Sequence, residues 1–278
     1  MFNWKEVYPA GGSDYKWYPT ASDDNFNILL AGIFYGGMYK SVNGGLIWHQ
    51  IYPGGLVSRN WVAVAMSADG QQMLVNAEYN GARAFQSWDG GSHWTEVPSP
   101  AGGKDRMWYS ASMSANGKYR LMGVNGGPLF VSKDNGYSWQ QSLGVSKWFA
   151  ADVCRGNGKI MIAGIGRLYG KGGRVYRSVD GGGNWTQLFP RGDEDGLYYD
   201  VSQSFDGTKI VIVEEGWQKV WLSVNSGQSW SNITPGGVSW PGEFRSCYKG
   251  GTVAPLQVFS QECAPGAGRY RCPRRHIQ

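Results

Sequence analysis

The stretch "SWDGGSHW", Ser87 to Trp94, limits what this chain can fold into because it recurs. "SVNGGLIW" begins at Ser41, "SKDNGYSW" at Ser132, "SVDGGGNW" at Ser178 and "SVNSGQSW" at Ser223. Successive starts are 46, 45, 46 and 45 residues apart. Self-similarity at a fixed period of this size is the signature of a repeat architecture, in which each unit buries its apolar face only against its neighbours.

Each box is flanked by short apolar or aromatic runs. "GGMYKS", "ARAFQS", "GPLFVS", "GRVYRS" and "KVWLS" lead in; "WHQI", "WTEV", "WQQS", "WTQL" and "WSNI" lead out. This is strand, tight turn, strand, with glycine supplying the turn backbone and Asp or Asn bonding nearby amides. A second marker precedes each box: an aromatic six residues before a Ser or Cys, at Trp61/Ser67, Trp108/Ser114, Trp148/Cys154, Tyr198/Ser204 and Trp240/Ser246. Turn signals and apolar runs such as "QMLVNA" and "KIVIVEE" follow. Each period therefore holds four short strands, the blade of an all-β propeller. At the N-terminus "NWKEV" puts Trp4 in phase with the box tryptophans, and Trp240 opens another period. The expectation is a single six-bladed propeller, closed by the N-terminal strand pairing with the last blade so that no edge stays open. Residues 1–240 carry the repeats. Residues 241–278 are either a divergent last blade or a non-native C-terminal tail, since the box and the usual second strand are missing there.

Composition removes several function classes. The 43 glycines follow no triplet rule, and 14 Trp with 16 Tyr argue against disorder. No apolar run approaches the length of a transmembrane helix, and "MFNWKEVYPA" does not read as a signal peptide. The net charge of +5 sits in the tail: residues 241–278 hold six Lys/Arg against two acids, leaving 20 against 19 elsewhere. The repeats thus carry no electrostatic footprint for nucleic acid. Cys154, Cys247, Cys263 and Cys272 form no CxxC pair, and His49, His93 and His276 are scattered, so neither a metal site nor a cofactor is expected. A Cys263–Cys272 disulfide is compatible with the spacing and is not required by it.

The S-x-D-x-G-x-x-W pattern resembles the Asp-box, or BNR, repeat of the sialidase-like superfamily. Asn replaces Asp in two of the five copies. The group spans sialidases, some endoglucanases, sortilin-type receptor domains and photosystem II assembly factors, so the resemblance speaks to fold more than to reaction. It implies that Asn43, Asp89, Asp134, Asp180 and Asn225 are structural turn residues at the rim, away from the ligand face.

On the opposite face lie the connections between blades and the loops between second and third strands. Trp17, Trp61, Trp108, Trp148, Tyr198 and Trp240 end the connections, with Lys16, Arg59, Arg106 and Lys147 just before four of them. Tyr35, Glu78, Tyr79, Tyr169, Glu215 and Trp217 belong to the other loops. Flat rings flanked by hydrogen-bonding groups suit sugars, so these residues are candidates for a carbohydrate or other surface ligand. The competing reading packs the same tryptophans between blades. The sialidase-like enzyme reading needs three converging arginines and an early "FRIP" motif. That motif is absent, and Phe244–Arg245 in the tail is the only Phe-Arg pair. Asp152 and Asp200, on inner strands of adjacent blades, are the remaining candidates for acid/base glycoside cleavage. Three functions follow from these readings: a non-catalytic glycan- or ligand-binding module, extracellular or virion-associated; a glycoside hydrolase; or a protein-binding assembly scaffold.

Overall fold

The computed structural model describes residues 7–11, 15–78, 82–101, 105–166, 172–215 and 219–234. Among them are strands and turns and no helix. The first period gives β1 (Trp17–Ser22), β2 (Leu29–Ile33), β3 (Met38–Ser41) and β4 (His49–Ile51); the second gives β5 (Asn60–Met66), β6 (Met73–Glu78), β7 (Ala84–Ser87) and β8 (Thr95–Glu96). Then come β9 (Trp108–Met113), β10 (Arg120–Ser132), β11 (Gln140–Val153), β12 (Met161–Ile165), β13 (Val175–Ser178) and β14 (Thr186–Leu188). The last are β15 (Tyr198–Gln203), β16 (Ile210–Glu214), β17 (Lys219–Ser223) and β18 (Ser231–Asn232). All neighbouring pairs are antiparallel.

The expected six blades are corrected by the sheet count. The described residues form four sheets: β1–β4, β5–β8, β15–β18, and one six-stranded sheet, β9 to β14, that carries two periods. The fusion has a local cause. β11 pairs with β10 through its first half and with β12 through its second half, because "SLGVSKW" is among the shortest connections between periods and the strand runs straight through it. The strand "NWKEV" with Trp4, the proposed closure, Trp240 and the whole 241–278 segment with its three cysteines lie outside the described residues.

The box turns follow from their residue types. In every copy the Ser Oγ accepts from the backbone N–H four residues on, at 2.8–2.9 Å (Gly45, Gly91, Gly136, Gly182, Gly227). The same hydroxyl donates to the Oδ1 of Asn43, Asp89, Asp134, Asp180 or Asn225. That Oδ1 also accepts the N–H four residues beyond it, at 2.9 Å in all five boxes. One oxygen does both jobs, which is why Asn serves as well as Asp. The glycine that donates to Ser also has φ between 80° and 85°, a region open to few side chains. Its carbonyl accepts the Trp indole N–H at 3.0–3.2 Å, so the tryptophan folds back over the turn.

Sheets stack face against face around an axis. The inner strands touch in series, β1 to β5, β5 to β9, β9 to β11 and β11 to β15. Tyr199 of β15 then comes back to Tyr18 of β1, hydroxyl to hydroxyl at 3.4 Å. Between adjacent periods lie four apolar clusters, each headed by the aromatic that opens an inner strand: Trp61, Trp108, Trp148 and Tyr198. Glycine makes room for three of these. A Cβ on Gly32 would stand 3.0 Å from the Cβ of Trp61, one on Gly123 2.7 Å from that of Trp148, and one on Gly164 2.9 Å from that of Tyr198. This radial stacking is the β-propeller arrangement.

Candidate binding site at the axial mouth

The aromatics expected to greet a ligand are core residues. Trp61 is 1% exposed, Trp108 0%, Trp148 3% and Tyr198 1%, so no ring face is open for a sugar to stack on. Trp61 and Trp148 also donate their indole N–H to Gly36 O at 3.2 Å and Gly144 O at 3.0 Å. Burial in turn pushes the Tyr198 phenol well above its usual range. Trp17 is half-buried and meets Tyr39 and Tyr15 edge-on. Their repeat spacing reflects packing between sheets, the competing reading of the same pattern.

Two bases are likewise structural. Arg59 lies 5.1 Å from the Phe85 ring centre and donates to Gly54 O at 3.3 Å. Arg106 repeats the device in the next period, 4.8 Å from the Phe130 ring centre, donating to Ala101 O at 3.0 Å and Pro100 O at 2.9 Å. Each guanidinium clips its entry loop onto the third strand of its own period. Burial lowers both pKa values. Glu78 is buried opposite Asn60 in the β5–β6 register, and Glu215 is half-buried with its N–H on Leu197 O at 2.8 Å. Lys16 and Tyr35 are exposed. Tyr79, Tyr169, Trp217 and Trp240 lie outside the described residues.

Of the two carboxylate candidates, Asp152 is tied into the frame. Asp152 Oδ1 accepts from Ser112 Oγ at 2.9 Å in the preceding period, and Oδ2 accepts from Gln203 N at 3.0 Å in the following one. Asp200 Oδ1 accepts from Val201 N at 2.9 Å. A carboxylate whose two oxygens hold three periods together is set up to position strands. A further cluster escaped the sequence reading: Glu214, buried, accepts from Arg191 Nη1 at 2.7 Å and from Trp221 Nε1 at 3.0 Å.

What does reach the axis is the residue after each buried aromatic. In all five inner strands among the described residues the register slips by one there. Trp61 faces Ala77 but Ala63 faces Asn76, leaving Val62 extra; Tyr109, Phe149 and Tyr199 are extra in the same way, and Tyr18 with Pro19 opposes one residue in β1–β2. A bulge re-aims the side chain it carries. Four of the five positions are aromatic, and their rings meet. Tyr109 and Phe149 are edge-to-face at 4.2 Å, Phe149 and Tyr199 stack at 5.4 Å, and Tyr199 reaches Tyr18 through the hydroxyls. Phe34 extends the row 5.8 Å from Tyr18. All five rings are half-buried, so part of each faces solvent. Lys147, the one expected basic contact that stays with them, sits 4.6 Å from the Phe149 ring centre and 6.0 Å from that of Tyr109. The signal was present in the sequence, as the second aromatic of "WY", "WY", "WF" and "YY".

No family model and no curated protein matches the chain. Solved structures do. The GH74 enzyme of Niastella koreensis superposes with a TM-score of 0.63 at 17% identity, over 84% of this chain and 39% of that one. The GH74 xyloglucanase of Xanthomonas campestris gives 0.57 at 18%, over 74% and 36%. YCF48 from Cyanidioschyzon merolae gives 0.54 at 15%, over 78% and 72%. The chain thus spans little more than a third of either GH74 enzyme. At these identities the likeness is one of fold, and the fold is the β-propeller.

Proposed function

We propose that this chain is a non-catalytic carbohydrate-binding propeller of the Asp-box type, with the arc of Tyr18, Tyr109, Phe149 and Tyr199 as its contact surface. The observation that carries the reading is the bulge repeated at one position in every described inner strand, with four aromatic side chains on it that meet one another. Half-exposed rings backed by phenol hydroxyls and the Lys147 ammonium match the chemistry of a sugar, which offers C–H faces to rings and hydroxyls to polar groups. The engagement of both Asp152 oxygens supports binding over cleavage.

The test is direct. A mixed glycan array and titration calorimetry with xyloglucan oligosaccharides, the latter prompted by the GH74 neighbours, should give binding without release of product. Phe149→Ala and Tyr109→Ala should each weaken that binding by about two- to twelvefold, since loss of one ring contact costs on the order of 0.5–1.5 kcal/mol. Turnover that disappears in Asp152→Asn would reverse the assignment in favour of a glycoside hydrolase. An array without hits would remove the carbohydrate reading altogether.

A further inference from the structure

The seam between the first and second periods is not filled as the next seam is. Five residues before Arg106, Ala101 is fully buried in the cluster of Trp108 and plugs the second seam. Five residues before Arg59 the same place is taken by Gly54, at φ 74°, where an added Cβ would stand 2.1 Å from the Phe85 ring. The loop 52–59 is anchored at its ends. Gly55 N donates to Tyr52 O at 3.1 Å, Arg59 Nη2 to Gly54 O at 3.3 Å, and Arg59 N to Gly36 O at 3.3 Å. Between these anchors Leu56 and Val57 stand out in solvent, 83% and 57% exposed. A cavity of about 190 Å³ is left between the loop and the β3–β4 edge of the first sheet.

The lining is mixed. Met38, Ile51, Pro53 and Trp61 bound the cavity with carbon, Trp61 from the core side. Gln50, Tyr52 and Ser58 add an amide, a phenol and a hydroxyl, on exposed side chains that have no hydrogen-bond partner among the described residues. Volume sets the size of the occupant. A cavity of about 150 Å³ accepts benzene, so this one has room for a single six-membered ring with small substituents. An aliphatic group would suit the carbon walls and strip water from the amide and the hydroxyl without replacing it. A pyranose offers C–H faces to the first and hydroxyls to the second. The row of rings at the axis also leads here. Beyond Tyr18 and Phe34, the exposed Tyr35 meets Phe34 edge-on at 4.6 Å, and Gly37, two residues further, belongs to the cavity wall.

We infer that this seam cavity is a second sugar subsite, one that takes a single pyranose ring. The inference rests on the carbohydrate reading above, and residue-resolved binding separates the two. The full chain, labelled with nitrogen-15, is titrated with the methyl pyranosides of glucose, galactose, xylose and mannose and, as a ring without the hydroxyl pattern, with cyclohexanol. The amides of Gly37, Gly55 and Val57 should shift and saturate with at least one pyranoside. Ser58→Trp, which fills the cavity from an exposed position, should abolish those shifts while the rest of the spectrum stays in place. Gln50→Ala should weaken binding there by about two- to twelvefold, the loss of one hydrogen bond. Shifts confined to Tyr109, Phe149 and their neighbours would overturn the subsite and leave the carbohydrate reading standing. Cavity shifts with cyclohexanol and with no pyranoside would make it an apolar site and overturn the inference, as would undiminished shifts in Ser58→Trp. No shift with any pyranoside overturns the subsite whatever the glycan array shows, and an array without hits decides the carbohydrate reading separately.

Discussion

At the residue scale the boxes show how one oxygen can set a turn. Asp89 is held well below the ordinary carboxylate range, first by the His93 N–H and then by the His93 ring; Asp180 is lowered in the same way by the N–H and the side-chain amide of Asn184. At Asp134 burial works the other way and is outweighed, chiefly by the Ser138 hydroxyl. In a turn between first and second strands, the Ser204 hydroxyl and then the Thr208 N–H push Asp206 down to about 2. Every one of these groups has a folded pKa below its unfolded value of about 3.9. Their contribution to stability is complete above that value and is lost as pH falls through the folded one. Thermal midpoints should therefore be flat from neutrality to roughly pH 5 and drop between about pH 4 and 2. The boxes built on Asn43 and Asn225 contribute nothing to that acid limb, because a neutral amide supplies the same Oδ1. Replacing both Asp89 and Asp180 by Asn should make the limb shallower by lowering stability at neutral pH, because the carboxylate Oδ2 that meets His93 and Asn184 is lost at every pH. An acid limb as steep as in the parent would show that other groups control it.

At the scale of elements, each inner strand alternates between two tasks in adjacent residues. The first aromatic drives into the preceding sheet, and the next, on the bulge, turns to the axis. Trp148 illustrates the first: its side chain passes so close to Gly123 that an added Cβ would stand 2.7 Å from both the Trp148 Cβ and its backbone oxygen. Gly123→Ala should cost roughly 1–3 kcal/mol by overpacking, and Trp148→Ala roughly 3–5 kcal/mol by leaving a cavity. Ligand affinity per folded molecule should hold in both, as read by chemical unfolding and binding on the same preparations. Loss of binding in Trp148→Ala at full stability would return that ring to the ligand. The strands, the turns and the box geometry were legible in the sequence because each depends on residues close together in the chain. The task of Trp61, Trp108 and Trp148 was not, since a tryptophan recurring once per period satisfies a core and a binding ring equally well. The bulge was hidden for another reason. It exists only as a mismatch of register between two strands, and neither strand alone carries it. The merging of two periods in the β9–β14 sheet depends likewise on how a short connection pairs on both sides.

At the scale of the whole molecule, side chains as well as strands hold the described periods around the axis. Arg155 joins three of them. Its guanidinium serves a carbonyl from the second period and a carboxylate from the first, from a turn in the fourth. Its side chain is 13% exposed and that of Asp24 34%, so the pair is shielded on one side and wet on the other. A guanidinium fork presents separate nitrogens to two partners lying in different periods, whereas the three donors of an ammonium radiate from one compact, shorter-reaching nitrogen. Arg155→Lys should therefore lose the Met66 contact and cost about 1 kcal/mol. Arg155→Ala abandons both, and with solvent screening at Asp24 should cost about 2–3 kcal/mol. The hydrogen bonds from Asp24 to Ala68, from Ala68 to Ala115 and from Ala115 to Arg155 use backbone atoms alone and survive either change. Unfolding in urea should accordingly remain one transition, with circular dichroism and tryptophan fluorescence coincident and only the midpoint displaced. Two separated transitions in Arg155→Ala would mean that the side chain, and not the series of backbone hydrogen bonds, makes the periods unfold together. An unmoved midpoint would mean that the series of backbone hydrogen bonds holds these turns together without it.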